Sequence, residues 1–150
     1  MKDGLELLNL NEINKLFDKL LLTKKEGDAL KRGTVRDSLY PIVKQAKSNL
    51  QYSGSVVTGN LLKSIGIISK ARENTVYAAA GARRGPGKGN HFHIINSGTV
   101  QRSTRSGYNR GSVGKSEFFD KAVLSSLPSI PSVMQESFNK RMKKFMDKKY

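Results

Sequence analysis

Residues 58–66 read TGNLLKSIG, and the chain changes its period across them. Before them, apolar residues recur at helical spacing: Val35, Leu39, Ile42, Val43, Ala46 and Leu50 form one face over 28–50. After them, SIGIIS (64–69) and TVYAAA (75–80) are short and rich in β-branched or small residues. The KAREN link between those runs is charged and turn-forming, so the pair predicts a β-hairpin. TGNLLKSIG is therefore a helix-to-strand connector. Thr58 is suited to capping a single helical turn, Gly59 permits a tight path, and Leu61 or Leu62 fills the core. The chain then leaves as a strand at Ser64–Ile65.

Upstream, the spacing predicts a helix over 5–22, with Leu10, Ile13, Phe17 and Leu20 as its stripe and Asp3 as N-cap. KKEGDALKRG (24–33), with two glycines among charges, reads as a joint or a weakened helical start. Pro41 lies inside the 28–50 pattern and predicts a kink there or the true start of the helix.

Downstream, HFHIIN (91–96) predicts a third strand, with His91, His93 and Ile95 on one face and Phe92, Ile94 and Asn96 on the other. Two irregular segments flank it. Residues 81–115 hold eight glycines and no acid, together with seven cations: Arg83, Arg84, Lys88, Arg102, Arg105, Arg110 and Lys115. The stretch 98–116 is long for a loop in a compact domain, and loops of that length are usually functional or disordered. EFFDKAVLSSL (117–127) is a short amphipathic helix ended by Pro128-Ser129. Ser132 and Gln135 have capping-box spacing for a last, strongly basic helix within 128–150. The expected architecture is a single α+β domain over 1–150, with 1–27 as a peripheral N-terminal helix. A small antiparallel sheet packs against a long helix and the C-terminal helices, and the loops are rich in Gly and Arg.

Composition narrows the chemistry. The chain has 150 residues and no cysteine, so disulfides, thiolate nucleophiles and Cys-based zinc sites are excluded. No apolar run approaches the ~20 residues of a membrane helix, and the N-terminus does not read as a signal peptide. The expectation is a soluble, intracellular protein. Its formal charge of +15 attracts polyanions, nucleic acid first among them, although charge alone serves solubility or acidic protein partners equally well.

His91 and His93 on one strand face suggest a metal pair. Zinc needs at least one further ligand, however, and no acid lies between Glu73 and Glu117, so no metal is expected. GARRGPGKG (81–89) fails as a phosphate loop: Ala82 replaces the first glycine, Gly89 replaces the Ser or Thr, and Pro86 lacks a donor. No G-x-S-x-G is present. His91, His93, Arg83 and Tyr77 form the residue set of a small basic ribonuclease of the toxin type, though no spacing demands it. Tyr108, set among basic residues in TRSGYNRG, is the one aromatic placed to stack on a base from a loop.

TGNLLKSIG also resembles the T-G-x-L-x-x-S-I signature of small tail-component proteins of tailed double-stranded DNA bacteriophages, also called neck or tail-completion proteins. The resemblance extends over roughly 30–145. DSLYPIVKQAKSNL is similar to the family's long helix. TVYAAAGARRGPGKGNHFHIINSGT is similar to its hairpin strand, basic loop and aromatic strand ending in Gly-Thr. KSEFFDKAV is similar to the segment that opens its C-terminal helices. The matching positions are Thr58, Gly59, Leu61, Ser64, Ile65, Gly98, Thr99, Phe118 and Ala122. Asn96 stands where the family often carries an acid, SGSVVTG replaces a proline-preceded signature, and Ser116-Glu117 stands in place of a proline.

The resemblance implies a structural, non-catalytic virion subunit without a cofactor. It implies a ring of six-fold or twelve-fold symmetry at the head–tail junction, assembled in the host cytoplasm against connector and tail proteins, away from membranes. The basic loops have two open targets, DNA in the ring lumen or acidic neighbouring proteins. Protein contact is favoured, because DNA must slide through such a channel.

Overall fold

The computed structural model describes residues 24–54, 59–72, 75–86 and 88–149. The expected 5–22 helix, its Asp3 cap and Thr58 lie outside the described residues. The fold is α+β. Its elements run α1 (Lys24–Ser38), α2 (Tyr40–Tyr52), α3 (Asn60–Ser64), β1 (Ile65–Arg72), β2 (Thr75–Ala82), α4 (Phe92–Ser97), β3 (Arg102–Ser103), β4 (Asn109–Gly111), α5 (Phe118–Ser126), a 3₁₀ turn (Leu127–Ser129) and α6 (Ile130–Lys149).

Of the two readings of 24–33, the helical start holds and the joint does not. The segment is the first two-thirds of α1, despite Gly27 and Gly33. Tertiary packing overrides the weak propensity of glycine here: α1 lies along the hairpin on one side and along antiparallel α6 on the other. Gly27 and Leu30 are buried, and the Arg141 side chain crosses α1 at Gly33, where a Cβ would collide with its guanidinium.

The 28–50 helix is divided. Pro41 cannot donate to the Asp37 carbonyl, so α1 ends at Ser38 and α2 restarts with proline in its first turn. Leu39 N–H reaches back only three residues, to Arg36 O at 3.3 Å.

The hairpin is antiparallel and in register from Ile65–Ala82 to Arg72–Thr75. Its inner face carries Ile65, Ile67, Val76, Ala78, Ala80 and Ala82, whereas Ile68, Lys70, Tyr77 and Ala79 are exposed on the outer face. This is the period-2 alternation of a one-sided sheet.

The core joins α2 (Val43, Ala46, Leu50), α3 (Leu61), β1 (Ile65) and α5 (Phe118, Ala122). Ala46, Leu50 and Ala122 have no exposed surface. Phe92 meets Phe118 edge-on with ring centroids 5.4 Å apart, and meets Phe119 at 5.1 Å. Such geometry adds to simple area burial.

Three further expectations are corrected. The third strand is absent, because 92–97 is the helix α4. The alternation breaks at the Ile94–Ile95 pair, and the helical spacing Phe92, Ile95, Asn96 is the one that faces inward. The capping box does not form: the 3₁₀ turn feeds directly into α6 at Ile130, Ser132 Oγ donates to Ser129 O at 2.9 Å, and Gln135 donates to Asn139. The long loop 98–116 contains its own two-stranded ribbon, β3–β4.

Candidate functional site

The connector forms the expected helical turn and leaves as a strand, but its N-cap position is Gly59 and not the expected Thr58. Gly59 sits at the N-cap of α3 with φ +71°, a left-handed conformation that favours glycine. Leu61, Ser64 and Ile65 are buried behind it. Ser64 Oγ donates to Leu61 O at 2.7 Å, and Ser64 O accepts from Arg83 N–H at 3.0 Å. The end of β2 is thereby tied to the connector.

The first basic loop then folds back over it. Gly89 N–H donates to Arg83 O at 3.1 Å. A side chain at Gly89 would overlap the Ser64 hydroxyl and lie 2.8 Å from Leu61 Cδ1. Asn90 closes the loop from inside, its Oδ1 accepting from Gly85 N–H at 2.8 Å and its Nδ2 donating to Gly85 O at 3.2 Å. Arg83, Arg84 and Lys88 are exposed on this compact turn.

The second basic segment is an arm with a narrow root. Thr99 N–H donates to Val113 O, and Val113 N–H donates to Thr99 Oγ1, both at 2.9 Å. Gly98 has φ +72°, and an added Cβ would lie 2.9 Å from Val113 O. Beyond that clasp, Thr104 and Tyr108 close the tip: Thr104 N–H donates to Tyr108 O at 2.8 Å and Tyr108 N–H to Thr104 Oγ1 at 3.0 Å. Arg102, Arg105 and Arg110 are exposed on the arm, Val100 is 83 % exposed and Tyr108 is 73 % exposed.

Lys115 differs from the other loop cations. Its Nζ is 2.6 Å from Glu117 Oε1. That hydrogen bond and charge hold the Glu117 pKa below its ordinary value and raise that of Lys115.

The expected site residues thus fall into three groups. Leu61, Ile65, Phe118 and Ala122 meet in the core. Gly98, Thr99 and Lys115 gather at the root of the arm. The exposed arginines divide between loop and arm. His91 and His93 do not share a strand face. His91 precedes α4 and His93 lies within it, both exposed, and positions two apart on a helix point to nearly opposite sides. No group of three or more His, Asp or Glu side chains suited to a metal occurs among the described residues. No hydrogen bond or ion pair links Tyr77, Arg83, His91 and His93 among them either.

Sequence reasoning missed two features. One is Asn96, whose amide holds α5; a buried asparagine in a supposed strand gave no signal. The other is the cationic corner of α1 and α2, for which the spacing Arg36, Tyr40, Lys47 was available across the proline kink.

Comparison of the chain with family models, curated proteins and solved structures finds no match.

Proposed function

We propose that this chain is a structural subunit of a ring at the head–tail junction of a tailed double-stranded DNA bacteriophage, where it joins or completes the tail. The observation that carries the reading is the arm 100–112. It is exposed, basic and clasped at its root by Thr99 and Val113. A protruding basic ribbon of that kind is suited to docking on a neighbouring subunit. The ordered motif set at 58–66, 75–99 and 115–123 supports the same reading. In a closed ring the heterologous contact repeats by one rotation, so a single arm per subunit serves every interface. The arm's arginines then meet acidic surfaces of the next copy or of an adjacent connector protein.

The test is deletion of 101–112 in the phage that encodes the chain. The expected result is a folded subunit, unchanged by circular dichroism, with particles that fail to join heads to tails. Normal infectious yield would overturn the reading. Quantitative mass spectrometry of wild-type particles should give a fixed copy number at a small multiple of the ring symmetry.

A further inference from the structure

A cleft of about 410 Å³ opens where α1 turns into α2, against strand β1. Arg36, Lys47 and Arg83 line it with Tyr40, and Ile65 and Ile67 form an apolar floor. The residues arrive from three directions. Arg36 and Tyr40 stand four apart across the Pro41 kink, and Lys47 follows two turns later on α2. Arg83 comes from the end of β2, fixed by its N–H bond to Ser64 O. Its guanidinium reaches across β1 at Gly66, where an added Cβ would lie 4.0 Å from Arg83 Nε and Nη2.

These three cations face a single acid, Asp37, on which the Arg36 charge acts from a distance. None forms an ion pair among the described residues. The one acid lining the cleft, Asp37, is already engaged: its Oδ2 accepts from Ser137 Oγ at 2.7 Å and from Arg141 Nε and Nη2 at 3.1 and 2.7 Å. A cleft with three cations against one acid already paired to Arg141 keeps a positive excess, which focuses positive potential and draws an anion. Tyr40 is 62 % exposed at its edge, with no hydrogen bond or ring partner among the described residues.

We propose that this corner cleft binds single-stranded nucleic acid, with backbone phosphates on Arg36, Lys47 and Arg83 and a base stacked on Tyr40. Arginine forks suit phosphate oxygens, and an exposed tyrosine ring beside cations suits a base face. A carboxylate of an acidic peptide would satisfy the cations but leave the ring and the apolar floor without a partner. A nucleotide supplies both groups. Three phosphate contacts give a salt slope of only about −2 for a single strand, which is a weak and reversible hold. The inference is independent of the ring reading, because the isolated chain suffices to test it.

The experiment is a fluorescence anisotropy titration of labelled single-stranded oligothymidine with the full chain across a salt series. The cleft variant R36Q/K47Q/R83Q is compared with the arm variant R102Q/R105Q/R110Q, which removes the same charge. The cleft variant should flatten the salt slope by about two, with a smaller change for the arm variant. Tyr40→Ala should weaken binding at least about fivefold, and Tyr40→Phe should retain it. All of these side chains are at least partly exposed, so circular dichroism should remain that of the wild type. Absence of binding at low salt, equal losses in the two triple variants, or unchanged affinity in Tyr40→Ala would each overturn the proposal. Stronger competition by polyglutamate than by unlabelled oligothymidine would assign the cleft to an acidic protein instead.

Discussion

Asn96 caps a helix that it does not belong to. Its Oδ1 accepts from Phe119 N–H at 2.9 Å, and its Nδ2 donates to Asp120 Oδ2 at 2.9 Å. Its carbonyl accepts from Glu117 N–H at the same distance. The position that should cap α5, Glu117, has φ 52° and makes no side-chain cap bond. Asn96, 6 % exposed, substitutes for it from α4. Asn96→Ala should cost about 2 kcal/mol in urea unfolding, because it strands buried groups. Asn96→Asp should cost more at neutral pH than below the carboxylate range, since it sets a second acid against Asp120. An N96D variant as stable as the wild type would refute this capping role.

Phe118 is 1 % exposed and meets two other phenylalanine rings. Its carbonyl also accepts from Asn49 Nδ2 at 2.9 Å, joining α5 to α2. Phe118→Ala should destabilise by about 3–5 kcal/mol, as large core truncations do. Phe118→Leu should recover a large part of that loss. Thermal unfolding of both variants checks this, and a shift of only a degree or two for the alanine form would show that the ring cluster is not central.

The Asp37–Arg141 pair predicts a pH dependence. Burial alone would raise the Asp37 pKa, but hydrogen bonds from Ser137 and Arg141, with the Arg141 and Arg36 charges, outweigh it and hold the pKa below the ordinary value. A depressed folded-state pKa gives stability that is present above the unfolded value of about 4 and is lost as pH falls through the folded value. The pair is partly exposed, with side-chain exposures of 39 % and 42 %, so its worth is about 1 kcal/mol. The difference in urea midpoint between wild type and Asp37→Asn should therefore be constant near neutrality and shrink in acid. A difference that grows in acid would contradict the assignment.

Gly98 carries the turn at the root of the arm. Gly98→Ala meets both a left-handed φ and the Val113 carbonyl, and left-handed geometry alone costs about 1–2 kcal/mol. By contrast, Gly114→Ala faces open space at an ordinary φ. The first should weaken the Thr99–Val113 clasp, read as faster proteolysis between 100 and 112, whereas the second should leave cleavage unchanged. Equal cleavage rates in the two variants would remove Gly98 from this role.

The hairpin was legible because its alternation is unbroken from Ile65 to Ile67 and from Val76 to Ala82 on the inner face. The kink was legible because proline lacks a donor wherever it stands. The first turn of α1, before the predicted start at 28, was less so, since Gly27 and Gly33 lower local propensity and the packing that secures that end comes from α6, far along the chain. α4 was not legible, because six residues are too few to separate period 2 from period 3.6 when both put Phe92 and Asn96 inward. The arm was visible as a glycine-rich basic stretch, but its clasp depends on the Thr99 hydroxyl meeting a backbone fourteen residues on. The corner cleft needed the kink angle and the reach of Arg83 over Gly66, neither of which is written in local spacing.

The Thr99–Val113 clasp has a consequence for hydrogen exchange. The amides of α2 and α5 are held within the core, so they open only with the whole domain, whereas those of 100–112 open when a few bonds at the clasp let go. Among the described residues, exchange should therefore be slow in α2 and α5 and fast between 100 and 112, with the boundaries at Thr99 and Val113. The clasp also fixes the ends of the fast segment at a set separation before anything binds it. A partner that orders the arm then has less chain entropy to overcome than with a free tail of the same length.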